Sequence, residues 1–356
     1  MSSGVAPSTS AAWMRSLAPV LIFLGIALLL HFVVGPALGP FRAKVLLDIG
    51  IAIILGVSLN IVNGYTGQFS IGHAGFMAVG GYTAALVTFY GSHKLWGSAA
   101  IVHGFLGPGE LLFFAGTVAG ALVAALFGYL VGLPSLRLRG DYLALVTLGF
   151  GEIIRVLITQ TKEVVRVDPG AQPWSTLATS MGGALGFTGL PFYTSMFWVW
   201  FWVAVTLLVA YRLKESSHGR AFLSIREDEI AAEAMGIPTT SLKIRAFVIS
   251  AAFAGIAGAL FAHEIGTTLN PRELGFQKSF EVVIMVVLGG MGSISGTVLA
   301  ATVLTMLPEL LRELSEYRMI GYSLTLILVM LLRPQGLFGL HEIWKLPALR
   351  RFLGRS

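Results

Sequence analysis

Apolar residues along this chain occur in long, nearly uninterrupted runs separated by short polar or glycine-rich segments. A helix that crosses a bilayer needs roughly 20 apolar residues. The clearest run, 111–132, holds no charged residue in 22 positions. We therefore predict about 10 membrane-spanning helices (9–10). They are placed at 17–34, 45–62, 71–90, 111–132, 142–159, 195–211, 246–264, 280–291, 296–311 and 319–332.

The run 280–291 is the weakest of these candidates. It has only 12 residues and continues into the glycine-rich segment 289–296. A helix of that length does not reach across the hydrocarbon layer, and irregular backbone at membrane depth is tolerated where protein buries it. We interpret this run as a half-helix inside the bundle.

Composition agrees with a lipid environment. The chain has 55% hydrophobic and 12% charged residues, whereas soluble domains carry about 25% charged residues. Its 43 glycines suit close helix packing in lipid. The first run lacks a cleavage site and is expected to remain as a helix. The fold class predicted is all-α, a polytopic transmembrane helical bundle whose environment is the lipid bilayer.

The positive charges predict an orientation. An even number of crossings puts both termini on one side, and lysine and arginine favour the cytoplasm. With cytoplasmic termini, 14 basic residues face inward and 9 outward. This bias explains the net charge of +6 better than a nucleic-acid partner does. We predict a cytoplasmic tail at 1–16, a transmembrane domain at 17–332 and a cytoplasmic tail at 333–356.

No catalytic apparatus is visible in the sequence. No lysine follows a glycine, so a phosphate-binding P-loop is missing, and there is no cysteine nucleophile. The pair His263-Glu264 lacks the second histidine of a metalloprotease helix, because position 267 is Thr267. We expect a chain that is not an enzyme, with no catalytic residue, no metal site and no cofactor of its own.

Polar residues are concentrated where the second predicted helix meets the third. Because polar groups are costly in hydrocarbon, such a set marks either a transport pathway or a tight turn whose groups satisfy one another. Glycines among them favour a break in the helix, as in transport sites. The pathway candidates are Asn60, Asn63, Gln68, Ser70 and His73.

Two opposite charges lie inside the fifth predicted helix. Glu152 and Arg155 are three positions apart and share a helix face. A charge pair costs much less than an isolated charge at that depth. We predict an intramembrane ion pair, with a gating or substrate contact as the alternative.

The segment 212–245 is the most charged part of the chain and faces the cytoplasm in this topology. Its centre, 224–235, has the composition of a helix, and Gly236 and Pro238 provide a stop signal. We predict one short cytoplasmic helix here. A solvated loop is the alternative.

Four stretches of the chain resemble the LivM-type permease of branched-chain amino acid ABC transporters. Their sequences begin LNIVNGYTGQFSIGHAGF, GDYLALVTLGFGEIIR, GRAF and LGGMGSISG. The resemblance covers about residues 45–340 and includes RPQGLF near its end. The four stretches lie at 59–76, 140–155, 219–237 and 288–296, and RPQGLF lies at 333–338.

That resemblance implies an importer subunit in the inner (plasma) membrane of a bacterium. Such permeases pair with a second permease subunit, bind two ABC ATPase subunits that hold the ATP, and receive substrate from a periplasmic binding protein. The loop 212–245 would then be the ATPase-coupling loop. The coupling candidates are Arg226, Glu227, Asp228, Glu229, Glu233 and Gly236.

Alternative functions remain open at this point. Related permeases carry other amino acids, amides or urea, and specificity lies largely in the binding protein. An autonomous secondary transporter would need intramembrane charged relays, for which the chain offers chiefly Glu152, Arg155 and His73. An intramembrane enzyme lacks paired catalytic residues.

Overall fold

The structure is a computed structural model, and it describes residues 22–98, 105–135, 142–265, 268–312, 317–333, 336, 337, 339 and 342. The predicted tail 1–16 lies outside these residues. The described regular structure is mainly helical. The helices are α1 (Ile22–Tyr65), α2 (His73–Trp96), α3 (Pro108–Ser135), α4 (Tyr142–Thr159), α5 (Trp174–Ala178), α6 (Met196–Glu215), α7 (Ser217–Glu227), α8 (Glu229–Ala234), α9 (Thr239–Ile265), α10 (Phe276–Gly289), α11 (Ile294–Leu310) and α12 (Arg318–Leu332).

The first two predicted helices form one helical segment, which corrects the predicted loop between them. The 44 residues of α1 would extend about 66 Å if straight, roughly twice the hydrocarbon thickness. Gly39 breaks the helical geometry with φ 74° and ψ 162°, and Pro40 follows it. Glycine adopts a positive φ at little cost, and proline disrupts the helix before it. The segment therefore consists of two arms that meet at Gly39.

The second arm of α1 lies at the centre of the bundle. Every residue from Ile49 to Asn60 is buried, and α6, α9, α10 and α11 pack around it. Helices α2 and α9 approach each other closely. A Cβ added to Gly80 would lie 2.2 Å from the Cα of Gly255, so only glycine permits this crossing.

Apolar side chains cover much of the outside of the bundle. Five helices among the described residues are long and apolar enough to cross a membrane. In the most apolar part of α1, 78% of residues are buried, but in α4 only 28% are. Contiguous exposed apolar surface of this kind requires a non-aqueous environment or a partner. Exposed examples are Leu122, Leu126, Leu145, Ile153, Leu157, Leu324 and Ile327.

Helix α10 is short, as the sequence indicates. Its 14 residues extend about 21 Å, less than the roughly 30 Å of a bilayer core. Gly290 and Gly292, with φ of 102° and 91°, turn the chain directly into α11. Thus α10 and α11 form a hairpin with a tight glycine-rich turn.

The charged segment after α6 contains two helices, which corrects the single helix predicted at 224–235. Helix α7 ends at Glu227, and Asp228 is extended, with φ −157°. The Asp228 carboxylate accepts hydrogen bonds from the amides of Ile230 and Ala231. An aspartate that caps a new helix in this way interrupts the previous one.

The predicted stop signal does end α8. Gly236 has φ 81°. Its amide donates to the Glu233 carbonyl, and the Ile237 amide donates to the Ala232 carbonyl. These two bonds form a Schellman motif, in which glycine supplies the left-handed residue.

The segment 160–194 packs against the helix ends. Strand β1 (Phe187–Thr188) pairs antiparallel with β2 (Thr268–Leu269). The hydroxyl of Tyr90 donates to the carbonyl of Ser180 at 2.7 Å. These contacts connect the segment to α2 and to the end of α9.

Candidate functional site

Two glycine-rich turns meet at one end of the bundle, and we call them together the glycine junction. It comprises residues 64–75, where α1 ends and α2 begins, and 289–296, where α10 ends and α11 begins. Helix α1 ends there in a π-helical turn, Ile61–Tyr65. Such turns are frequent at functional sites.

Asn60 joins the two turns. Its amide nitrogen donates to the Ser293 carbonyl at 3.0 Å and to Thr297 Oγ1 at 3.1 Å. Its amide oxygen accepts from the Gly292 amide at 2.7 Å. The side chain is 1% exposed. A buried amide with both of its ends paired fixes its neighbours, because separation would leave polar groups unsatisfied.

The other pathway candidates lie on the first turn. Asn63 exchanges two hydrogen bonds with the backbone of Ser70, at 3.2 and 3.4 Å. His73 Nε2 lies 2.8 Å from Ser58 Oγ. Asn63, Ser70 and His73 are all buried, and only Gln68 is partly exposed. The geometry is that of a turn whose groups satisfy one another, and the pathway role stays a prediction.

Glu152 and Arg155 lie together on α4. Arg155 Nε is 2.7 Å from one carboxylate oxygen of Glu152, and both side chains are about one-third exposed. The other oxygen accepts from the amide of Phe276 at 3.0 Å. Phe276 is the first residue of α10, where a carboxylate is favoured by the unpaired amides and the helix dipole. The pair therefore connects α4 to the start of the short helix.

Arg226, at the end of α7, contacts both turns of the glycine junction. Its Nη1 donates to the Gly64 carbonyl at 2.9 Å and to the Met291 carbonyl at 3.3 Å. Arg226 therefore connects α7 to both turns.

Another coupling candidate also has a partner within this chain. Glu229 forms an ion pair with Lys243 of α9 at 2.5 Å, and the Lys243 side chain is 1% exposed. A buried lysine needs such a counter-charge. This pair holds α8 against the bundle.

The remaining surface of α8 faces away from the bundle. Ile230 is 65% exposed and Met235 is 82% exposed. Of the coupling candidates, Glu227, Asp228, Glu233 and Gly236 are exposed. This surface therefore combines two large exposed apolar side chains with exposed carboxylates.

Glu342 is the residue at the junction that the sequence analysis missed. It lies in the predicted tail 333–356, yet it is 1% exposed. It forms an ion pair with Lys214 of α6 and accepts from the amides of Ile294 and Ser295 at 2.9 and 3.0 Å. Lys214 also donates to the Gly292 carbonyl at 2.6 Å. Its position in the sequence, beyond the last apolar run, gave no signal of this role.

The environment of Glu342 favours its ionised form. Burial raises the pKa of this carboxyl, but hydrogen bonds from Lys214, from Ser295 and from the first amides of α11 outweigh burial. The pKa therefore lies below its ordinary value of 4.5. A carboxylate at a helix N-terminus is stabilised in the same sense by the helix dipole.

These features define a class: a polytopic helical membrane protein with a glycine-rich junction at one end. The chain also matches a family model described as branched-chain amino acid transport system / permease component, over residues 41–333. It belongs to this family.

Individual relatives agree with the family match. The chain is 40% identical over 305 residues to the high-affinity branched-chain amino acid transport system permease protein LivM of Salmonella typhimurium, covering 81% of this chain and 67% of the relative. It is 25% identical over 300 residues to the permease protein LivH of Escherichia coli, covering 82% and 92%. No solved structure matches significantly.

Proposed function

We propose that this chain is a membrane-spanning subunit of an ATP-driven importer that carries leucine, isoleucine and valine into a bacterial cell. The relatives named for branched-chain amino acid transport support the substrate. In this proposal a periplasmic binding protein delivers the amino acid. Both termini of this chain lie on the cytoplasmic side of the bacterial inner membrane.

The partners follow from the same proposal. A second permease subunit completes the pathway, and similarity to both LivM and LivH relatives supports a partner of the same fold. Two ATPase subunits bind ATP, since this sequence has no Gly-Lys pair for a P-loop. No cofactor is assigned to this chain.

One observation carries the coupling step. The exposed face of α8 is continuous in sequence with Arg226, whose guanidinium donates to Gly64 and Met291 in the two junction turns. In this proposal the ATPase binds Ile230, Met235 and the surrounding carboxylates. Closure of the ATPase dimer then moves α7 and α8, and Arg226 transmits the movement to the turns that end α1 and α10.

The first test is reconstitution. The chain is co-purified with its candidate ATPases and partner permease, placed in liposomes with the binding protein, and assayed for ATP-dependent uptake of labelled leucine. We expect uptake that isoleucine and valine compete for. ATP-dependent uptake of other amino acids, amides or urea instead would contradict the substrate, and uptake by this chain alone, driven by an ion gradient, would contradict the ABC mechanism.

The coupling step has its own test. Arg226→Lys keeps the charge but loses the guanidinium that reaches two carbonyls. We expect uptake to fall at least ~10-fold while the complex still assembles and hydrolyses ATP. The matched control is Arg220→Lys, an exposed arginine on the same helix. Equal loss in both variants would remove Arg226 from the mechanism.

The ATPase contact is tested by binding. Ile230→Ser and Met235→Ser remove apolar side chains that are 65% and 82% exposed, so the fold should tolerate them. We expect less ATPase to co-purify. Leu185→Ser, at a position 71% exposed in the segment 160–194, is the control and should leave ATPase recovery unchanged.

A further inference from the structure

A charged cavity lies between α1, α9, α10 and α11, away from the glycine junction. Its volume is about 280 Å³, at the lower limit of the roughly 300–1,000 Å³ of ligand pockets. This size suits one small molecule. Its charged lining residues are Asp48, Lys278, Glu281 and Glu309. We call it the charged cavity.

One wall of the charged cavity is apolar. This wall is formed by Ile51 and Leu55 of α1, Met285 of α10 and Leu304 of α11. All four are buried aliphatic or thioether side chains. Such a wall accepts an aliphatic group and offers nothing to a polar one.

The other wall holds more negative than positive charge. Asp48 lies on this wall. Outside the lining residues, Lys44 lies 3.0 Å from Asp48 and 3.2 Å from Glu264, so one ammonium serves two carboxylates. Lys278 lies 3.0 Å from Glu281. Glu309 is an additional carboxylate on this wall.

One carboxylate that lines the cavity is incompletely paired. Glu309 has a buried oxygen without a hydrogen-bond partner. A buried carboxylate oxygen without a partner is costly. A ligand with a positive charge and several N–H donors would remove that cost.

Metal binding is not the chemistry indicated. Among the described residues, no three histidine, aspartate or glutamate side chains converge as metal ligands. An ammonium group needs less convergence than a metal does, because its three N–H donors point in different directions.

The lysine that lines the charged cavity forms a partly exposed ion pair. The Lys278–Glu281 pair has side chains 29% and 49% exposed, and exposed pairs of this kind contribute little, about 0–1 kcal/mol. Lys278 can therefore exchange Glu281 for the carboxylate of a ligand at small cost.

We infer that the charged cavity binds a single zwitterionic aliphatic amino acid within this permease chain. The α-ammonium lies at Glu309 and Asp48, the α-carboxylate at Lys278, and the branched side chain on the wall of Leu55, Met285 and Leu304. This inference rests on the proposed function for the substrate class. It adds that the permease itself selects an amino acid, by its two charges and its aliphatic side chain.

The test measures binding by the complete complex. This chain, its partner permease and the ATPases are placed in lipid nanodiscs without the binding protein or nucleotide, and equilibrium binding of labelled L-leucine is measured. We expect saturable binding that isoleucine and valine compete for. Glycine lacks the side chain and 4-methyl-2-oxopentanoate lacks the ammonium, so neither should compete.

Glu309→Gln removes the negative charge and keeps the size of the side chain. We expect leucine binding to weaken at least ~10-fold and leucine uptake to fall. The control is Glu163→Gln, an exposed carboxylate in the segment 160–194, which should behave as wild type.

Thr305→Trp provides an independent variant if Glu309→Gln does not assemble. It fills the cavity from α11 without changing any charge, and it should abolish leucine binding.

The outcomes separate the two proposals. A wild-type complex that takes up leucine, with Glu309→Gln or Thr305→Trp binding leucine as tightly as wild type, would overturn the cavity site alone. A wild-type complex that neither takes up nor binds leucine would overturn the proposed substrate and the cavity site together.

Discussion

At the glycine junction, buried polar groups such as Asn60 and Glu342 each make several hydrogen bonds inside the chain. At the charged cavity, by contrast, Glu309 leaves a buried oxygen without a partner. Fully paired polar groups stabilise one arrangement, whereas unpaired ones favour a ligand. The two ends of the bundle are therefore suited to different tasks: the junction to transmitting movement and the cavity to binding.

The largest effect should come from Glu342→Ala. This change leaves Lys214 without its counter-charge and the first amides of α11 without an acceptor. Removing one partner of a buried pair costs about 3–5 kcal/mol. We expect a free energy of unfolding lower by about that amount, measured by denaturant titration in detergent. Glu281→Ala, which breaks the exposed pair with Lys278, is the control and should cost less than about 1 kcal/mol. Similar costs for both variants would show that the junction is no better stabilised than the cavity rim.

Asn60→Leu tests the connection between the two turns. It removes three hydrogen bonds and leaves the Gly292 amide buried without an acceptor. We expect a loss of about 2–3 kcal/mol in unfolding free energy. Asn63→Leu, on the first turn only, should cost less. If the order were reversed, Asn60 would not be the residue that joins α1 to the α10–α11 hairpin.

Gly80→Ala tests the packing between α2 and α9. The added Cβ would lie 2.2 Å from the Gly255 Cα, and neither backbone can move away easily. Overpacking of this kind costs about 1–3 kcal/mol. Gly149→Ala, where nothing lies within 4 Å of the new Cβ, should be neutral or stabilising. Thermal unfolding of both variants in the same detergent measures the difference.

The smallest effect should be a loss of folding stability at acidic pH. The folded-state pKa of Glu342 is depressed below 4.5. The ionised carboxylate therefore stabilises the folded state above the unfolded-state pKa, and this stabilisation is lost as pH falls through the folded-state pKa. We expect stability to fall below about pH 4.5, by at most about 1.4 kcal/mol per pH unit for this one group. In Glu342→Gln this part of the acid dependence should disappear. Identical pH profiles would place the acid sensitivity elsewhere, for example in the cavity carboxylates.

The apolar pattern predicted much of the fold, because a long apolar segment in lipid satisfies its backbone hydrogen bonds by forming a helix. The run 142–159 matches α4 at both ends, and the stop signal at Gly236 ends α8. The boundary at Asp228 was missed. An aspartate inside a run of helix-forming residues is compatible with a continuous helix. Only the structure shows that its side chain caps the next helix.

The sequence by itself determined that this protein is a helical bundle for a membrane, and its motifs indicated the permease family, because both depend on local composition and order. Only the tertiary structure decided which polar residues meet. Asn60 finds its partners more than 230 positions away, and Glu342 reaches the start of α11 from beyond the last helix. The charged cavity likewise combines side chains from four helices, and no sequence period brings these together. Helix packing determines such contacts, since hydrogen bonds and ion pairs depend on distance in space rather than on separation along the chain.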